Sequence, residues 1–123
     1  MIVVDTSVWI DHLHRGEERL SDLLARDSVL MHPLVVAELA LGSLAQRSKV
    51  LALLGNLGTV PVLTSHELLM LIESQSLSGR GIGVVDAHLL GAVRITPGAQ
   101  LWTRDKRLRR SAEESGVAIV PWR

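Results

Sequence analysis

Short apolar runs alternate with stretches of helical periodicity along the whole chain. The runs with the length and the Val, Ile and Leu content of buried strands are Ile2–Val4, Ser28–Met31, Thr59–Leu63, Gln100–Thr103 and Val117–Val120. Helical patterns separate these runs from one another. This alternation predicts an α/β fold in which helices cover both faces of a parallel sheet.

Residues that favour helix ends divide the remaining sequence into helices. Thr6 or Ser7 is expected to cap the first helix, and Thr64 or Ser65 a long later one. The predicted helices run through Val8–Ile10, over Glu17–Ala25, from Pro33 to about Leu41, over Ser48–Leu54, after Ser65, from about Asp86 to Val93, and over Lys106–Glu114. The glycine-rich segment Ser78–Gly83 is predicted to be a flexible loop. It lacks the Lys-Ser/Thr ending of a phosphate-binding loop.

Length and composition indicate one globular domain over residues 1–123. The chain is 47% hydrophobic and has no cysteine, which excludes disulfides and thiolate zinc sites. It has no apolar run near the ~20 residues of a membrane helix and no basic start followed by a long apolar run. We therefore expect a cytoplasmic protein with no membrane association. The formal net charge is zero, which does not by itself indicate nucleic-acid binding.

Four acidic residues lie in otherwise apolar or turn-like stretches: Asp5, Glu38, Asp86 and Asp105. Carboxylates are rarely buried unless they are paired, hydrogen-bonded or bound to a metal. Asp5 and Asp105 follow predicted strands, and ligands of such sheets bind at the carboxyl ends of the strands. Because clustered carboxylates repel one another, a divalent cation is the common remedy. The four acids therefore predict a metal site made of oxygen ligands.

Each candidate also has a purely structural explanation. Asp5 and Asp86 are suited to capping helices, Glu38 to a solvated helix edge, and Asp105 to a surface ion pair. The five cations Arg104, Lys106, Arg107, Arg109 and Arg110 are typical of a solvated helix face, yet beside a metal site they would attract a phosphate backbone. None of the five histidines has the i, i+4 spacing of a helical zinc pair.

Four segments together resemble the PIN domain, and most closely the VapC-type ribonuclease toxins. The segments are residues 3–11 (VVDTSVWID), 36–39 (VAEL), 85–90 (VDAHLL) and 101–108 (LWTRDKRL). The resemblance covers nearly the whole chain. It implies a five-stranded parallel sheet between helices, and an RNA-cleaving nuclease that depends on Mg²⁺ or Mn²⁺. It also implies a cognate antitoxin and a homodimer.

The resemblance assigns a role to each matching residue. The catalytic acids fall on Asp5, Glu38, Asp86 and Asp105. Among them Asp5, Asp86 and Asp105 are the expected metal ligands, which agrees with the preference of magnesium for oxygen ligands. Thr103 belongs to the catalytic set, and the substrate contacts are expected from Thr6, Ser7, Arg104 and Lys106. Trp9 and the helix with Leu20, Leu23 and Leu24 would either line the antitoxin groove or pack in the core.

Two other functions fit parts of the same pattern. A magnesium-dependent phospho-transfer domain also places Asp at strand ends. One class of these domains needs an acid two residues after its nucleophile, where this chain has Ser7, and another needs a paired acid and a late lysine that are not evident. The second alternative is a non-catalytic PIN-fold binding module, against which the complete set of acids argues.

Overall fold

Four short parallel strands form the sheet at the centre of the molecule. The structure is a computed structural model that describes all 123 residues. The strands are β1 (Ile2–Val4), β2 (Val29–Met31), β3 (Gly58–Thr59) and β4 (Gln100–Trp102). Their order is β3-β2-β1-β4, so that β1 pairs with β2 on one side and with β4 on the other. The expectation of a parallel sheet is confirmed.

The expectation of five strands is wrong, and proline limits both segments concerned. Val117–Val120 makes only one bridge, between Leu101 and Ile119, and the next residue is Pro121. The predicted strand Thr59–Leu63 is reduced to β3, because the amide of Val60 still donates to Met31 but Pro61 follows. Proline has no amide hydrogen and cannot continue a ladder.

Seven helices pack around the sheet. They are α1 (Thr6–Arg15), α2 (Glu18–Ala25), α3 (Pro33–Leu41), α4 (Arg47–Gly55), α5 (Ser65–Ser74), α6 (Val84–Arg94) and α7 (Lys106–Glu114). The capping box of α5, between Thr64 and Glu67, is confirmed. No helix has the length and apolarity needed to cross a membrane.

Two predicted helix starts need correction. The N-cap of α1 is Asp5, whose side chain accepts from the amide of Thr6, and not Thr6 or Ser7. A carboxylate competes successfully for this position because it is a strong acceptor for the first free amides. Helix α6 begins at Val84 and not at about Asp86, which places Asp86 inside its first turn.

A single cluster of 28 buried apolar residues forms the core. All of β1 lies in it, and the largest fully buried side chain is Trp102 of β4. Trp9, Leu20 and Leu23 are buried in the same cluster, at 2%, 0% and 7% exposure. Of the two roles expected for these three residues, they therefore fill the core and do not line a groove.

The connectivity of the sheet creates one crevice. The chain moves outward from β1 to β2 and β3, and then returns to the opposite side of β1 for β4. At such a switch point the connections after two neighbouring strands leave in opposite directions and open a space at the carboxyl ends. Asp5 follows β1 and Thr103 follows β4, so both lie at this crevice.

Candidate functional site

Asp5 is the buried centre of the site, with 4% of its surface exposed. Its Oδ1 accepts from the amide of Thr6 at 2.7 Å. Its Oδ2 accepts from two hydroxyls, Ser7 Oγ at 2.9 Å and Thr103 Oγ1 at 2.7 Å. These three donors fix the carboxylate in one orientation and offset part of the cost of burying it.

Thr103 connects Asp5 to Asp105 across the crevice. Its hydroxyl donates to Asp5 and also accepts from the amide of Asp105 at 3.0 Å. Asp105 in turn caps α7, since its Oδ1 accepts from the amides of Arg107 and Leu108 at 2.9 and 3.1 Å. The alternative expected for Asp105 was a surface ion pair, but Asp105 forms none and acts as this N-cap instead. Its other oxygen remains free for a ligand.

Helix α3 brings Glu38 to the same crevice. The hydroxyl of Thr6 donates to Glu38 Oε1 at 2.6 Å, which joins the start of α1 to α3. Glu38 itself is exposed, in agreement with the helix-edge alternative, although its flanking residues are apolar. Thr6 was expected to contact substrate, but in this structure its hydroxyl is occupied by Glu38.

Asp86 is the acid whose pKa carries information about its surroundings. Burial, reinforced by the negative charges of Asp5, Asp105 and Glu38, raises its pKa from 3.8 to about 6. The amide of Gly83 donates to Asp86 Oδ2 at 3.2 Å and partly opposes this shift. All three other acids are therefore near enough to Asp86 to act on it electrostatically.

The four acids fit a hydrated divalent ion better than a closed cage. Only Asp5 is buried, Asp86 is partly exposed, and Glu38 and Asp105 are exposed. No three His, Asp or Glu side chains are arranged to hold an ion directly. Magnesium normally keeps several waters and is bound by one or two carboxylates, all through oxygen. The oxygen donors and their mutual repulsion match that chemistry.

Arg104 is not a free cation. Its Nη1 lies 2.6 Å from Asp11 Oδ2, and its Nη2 contacts Glu17 Oε2. The hydrogen bond from Arg104 holds the pKa of Glu17 below its ordinary value. Arg104 thus links the end of β4 to the α1–α2 connection, and its predicted contact with substrate would require these pairs to open. No spacing along the chain identifies Asp11 or Glu17 as its partners, because both lie far from Arg104 in sequence.

A buried histidine, His32, lies next to the partly exposed His88. The rings of His32 and His88 are 5.6 Å apart, and His32 is 1% exposed. His32 caps α3 by accepting from the amide of Leu34 at 3.0 Å, which keeps its Nδ1 unprotonated. Burial lowers the pKa of His32, and the neighbouring His88 lowers it further. The pair therefore connects α3, which carries Glu38, to α6, which carries Asp86. The position of His32 directly before Pro33 was the available sequence signal.

Replacing Thr103 with valine is expected to loosen the link between Asp5 and Asp105. Valine keeps the shape and removes both hydrogen bonds, which leaves acceptor and donor groups unpaired at a cost of about 1–3 kcal/mol. Serine keeps the hydroxyl and should retain most of the stability. Urea unfolding of the two variants checks this expectation. Equal stability of Thr103→Val and Thr103→Ser would contradict it.

Known proteins resemble this chain in sequence and in fold. Residues 2–114 match the PIN domain family. Ribonuclease VapC32 of Mycobacterium tuberculosis, from strains CDC 1551/Oshkosh and ATCC 25618/H37Rv, is 56% identical over 120 residues, which are 98% of this chain and 97% of the relative. The crystal structure of FitAcB from Neisseria gonorrhoeae is similar with a TM-score of 0.63 and 20% identity, over 97% of this chain and 96% of that one. Because only 20% of the aligned residues are identical, the similarity to FitAcB concerns the fold alone.

Proposed function

Since the chain belongs to the PIN domain family and is a VapC-type member of it, we propose that it is a metal-dependent endoribonuclease toxin. Its proposed substrate is RNA of the tRNA or rRNA class, cut by phosphodiester hydrolysis. The observation that supports the proposal is that Asp5, Glu38 and Asp105 all act electrostatically on Asp86, together with the position of Asp5 at the crevice between β1 and β4. The name Ribonuclease of the relative with 56% identity supports RNA as the substrate.

Asp5, Asp86 and Asp105 are the proposed ligands of Mg²⁺ or Mn²⁺. Oδ1 of Asp86 and Oδ2 of Asp105 accept no hydrogen bond from the protein, and Oδ1 of Asp5 accepts only one, so each acid keeps acceptor capacity for an ion. When bound, the ion would act as a Lewis acid that neutralises phosphate charge and makes a water more acidic. Glu38 is proposed to orient a water, because it is exposed and held by only one hydrogen bond, from Thr6.

The residues of the chain would contribute mainly by positioning. The hydroxyls of Ser7 and Thr103 hold Asp5, so that this ligand need not reorganise when the substrate binds. A water attacks phosphorus, the bond from phosphorus to the leaving oxygen breaks, and the proton of the water passes to a carboxylate such as Glu38. The leaving oxygen takes a proton from solvent. The products are two shorter RNA chains.

A cognate antitoxin and a homodimer belong to the same proposal. An arginine of the antitoxin reaching the carboxylates would replace the charge of the metal. An apolar cavity of about 180 Å³ lies between α1 and α3. It has Glu38 at its border and Ile10, Leu13 and Leu39 in its wall. On another side of the molecule, Leu69 and Met70 of α5 are 61% and 58% exposed, an apolar face suited to a second copy. A cytoplasmic location is also part of the proposal.

Incubation with a mixed pool of tRNA and ribosomal RNA tests the proposed activity. We expect fragments in the presence of Mg²⁺ or Mn²⁺ and none in excess EDTA, because the acids alone repel the phosphate. Sequencing of the fragment ends would identify the target. Absence of metal-dependent cleavage by well-folded protein would favour the non-catalytic binding module, and a phosphorylated aspartate would favour phospho-transfer.

A further inference from the structure

The basic cluster at the start of α7 contains two cations without an ionic partner. Arg104 is paired with Asp11 and Glu17, as described above. Arg109 pairs with Glu113, and Arg110 pairs with Glu114. Lys106 and Arg107 form no ion pair and are exposed. The positive charge available to a ligand therefore comes from these two residues, which directly follow Asp105 in the chain.

The side chain of Arg107 packs directly against Gly81, which forms a seat for it. A Cβ atom at Gly81 would stand 2.9 Å from Cδ of Arg107 and 3.1 Å from its Nη1, so only glycine permits this approach. Gly81 also has φ +75°, a conformation that disfavours side chains. The segment Ser78–Gly83, expected to be only a flexible loop, is thus packed against α7, and an ion pair between Arg80 and Glu114 holds it there.

The seat connects the start of α7, which Asp105 caps, with the loop that precedes Asp86. Gly81 is two residues before Gly83, whose amide donates to Asp86. At the other end, the backbone amide of Arg107 donates to Asp105 Oδ1. The side chain of Arg107 therefore runs from the start of α7, which Asp105 caps, to the loop that leads to Asp86. No carboxylate neutralises it there.

We propose that Arg107, held against Gly81 and assisted by Lys106, binds a phosphate of the RNA next to the one that is cleaved. This inference rests on the proposed ribonuclease function. It replaces Arg104 by Arg107 as the principal cation for the RNA backbone, because Arg104 already has two carboxylate partners. A guanidinium suits this role, since its planar donors match phosphate oxygens in pairs.

RNA binding by catalytically inactive protein tests the inference without interference from cleavage. The probe is a fluorescently labelled single-stranded oligonucleotide of about 12 nucleotides, and the background variant is Asp86→Asn in Mg²⁺. Arg107→Ala should raise Kd about 3- to 10-fold and reduce the slope of log K against log salt by about 0.7, the value for one phosphate contact on a single strand. Arg110→Ala, on the same helix but paired with Glu114, should change Kd less than about twofold.

A second pair of variants tests the seat itself. Gly81→Ala should weaken RNA binding in the same direction as Arg107→Ala, because the added methyl displaces the guanidinium without removing its charge. Gly79→Ala is the matched control. Gly79 lies in the same loop at φ +74°, but has no atom within 4 Å of an added Cβ. Both variants carry the same backbone strain, so a difference between them reports the displacement of Arg107.

Several outcomes would overturn the inference. Equal Kd and salt slope for Arg107→Ala and Arg110→Ala would exclude a phosphate contact, and equal effects of Gly81→Ala and Gly79→Ala would exclude the seat. Loss of antitoxin binding with unchanged RNA binding would assign Arg107 to the protein partner. If the parent protein cuts RNA with metal while Arg107→Ala has the same KM, only this inference fails. If the parent neither binds nor cuts RNA, the proposed function fails with it.

Discussion

Asp86→Asn should abolish RNA cleavage and at the same time stabilise the metal-free protein at pH 8. Asparagine keeps an oxygen that can accept from Gly83 and removes the charge. Cleavage should fall by about 100-fold or more, as expected when a group that binds or orients a metal is lost. A gain in stability accompanies this loss because Asp86 is ionised against burial and against three like charges.

The pH dependence of that gain follows from the pKa of Asp86. In the folded protein the carboxyl keeps its proton up to about pH 6, whereas in the unfolded chain it ionises near 3.8. The stabilisation that protonated Asp86 gives the folded protein is therefore fully present below about pH 4 and is lost as pH rises through 6. The full shift corresponds to about 3 kcal/mol. Because Asp86 is partly exposed, screening by solvent reduces the expected gain to about 1 kcal/mol.

Urea unfolding in EDTA at pH 4 and pH 8 measures this effect. The variant should be more stable than the parent at pH 8 and equal to it at pH 4. The contributions of other titrating groups to stability cancel when the two proteins are compared. One of these is His32, whose lowered pKa makes its contribution rise with pH. A variant that is less stable than the parent at pH 8 would show that the Asp86 charge is compensated in the folded protein.

Asp5→Asn should lose both cleavage and stability, in contrast to Asp86→Asn. From the sequence alone, relief of charge repulsion leads to the expectation of an equally or more stable variant. The hydrogen bonds reverse this expectation, because the amide nitrogen that replaces Oδ2 cannot accept from the hydroxyls of Ser7 and Thr103. Leaving these groups unpaired should cost about 1–3 kcal/mol. Capping of α1 is retained, since asparagine is also a good N-cap.

A double-mutant cycle separates the two contributions of Asp5. If the stability loss arises from the hydroxyl bonds, Asp5→Asn combined with Thr103→Val should cost much less than the sum of the single changes. Cleavage should be absent in each variant with asparagine at position 5. Additive losses of stability would instead indicate that the two residues act independently, and full cleavage by Asp5→Asn would remove its proposed role as a metal ligand.

The parts of the fold that depend on local pattern were predictable from the sequence. The buried run Ile2–Val4, the helix after Thr64 and the glycine that ends α3 carry their own signals. The number of strands was not predictable, because the pairing of Val117–Val120 depends on tertiary register and on the proline that follows. A run of suitable residues shows that a strand is possible, while the number of ladder bonds it makes is set by its neighbours.

The candidate site was predictable as a set of residue types but not as a network. The acids were recognisable from their apolar and turn-like surroundings, although only Asp5 is buried. Their partners lie far away in sequence, as Thr103 is from Asp5 and Asp11 is from Arg104. Which cations remain free is likewise a property of the folded surface. The sequence alone therefore favoured Arg104, and the ion pairs indicate Arg107.

The metal dependence of the site is tested by one titration with Mn²⁺ in which ion binding and RNA cleavage are followed together. For the parent protein, we expect thermal stabilisation by the ion and the cleavage rate to rise over the same concentration range. In Asp86→Asn both responses should be lost while the protein remains folded. Cleavage by the parent in excess EDTA, or cleavage by folded Asp86→Asn at the parental rate, would contradict a metal-dependent site built on these acids.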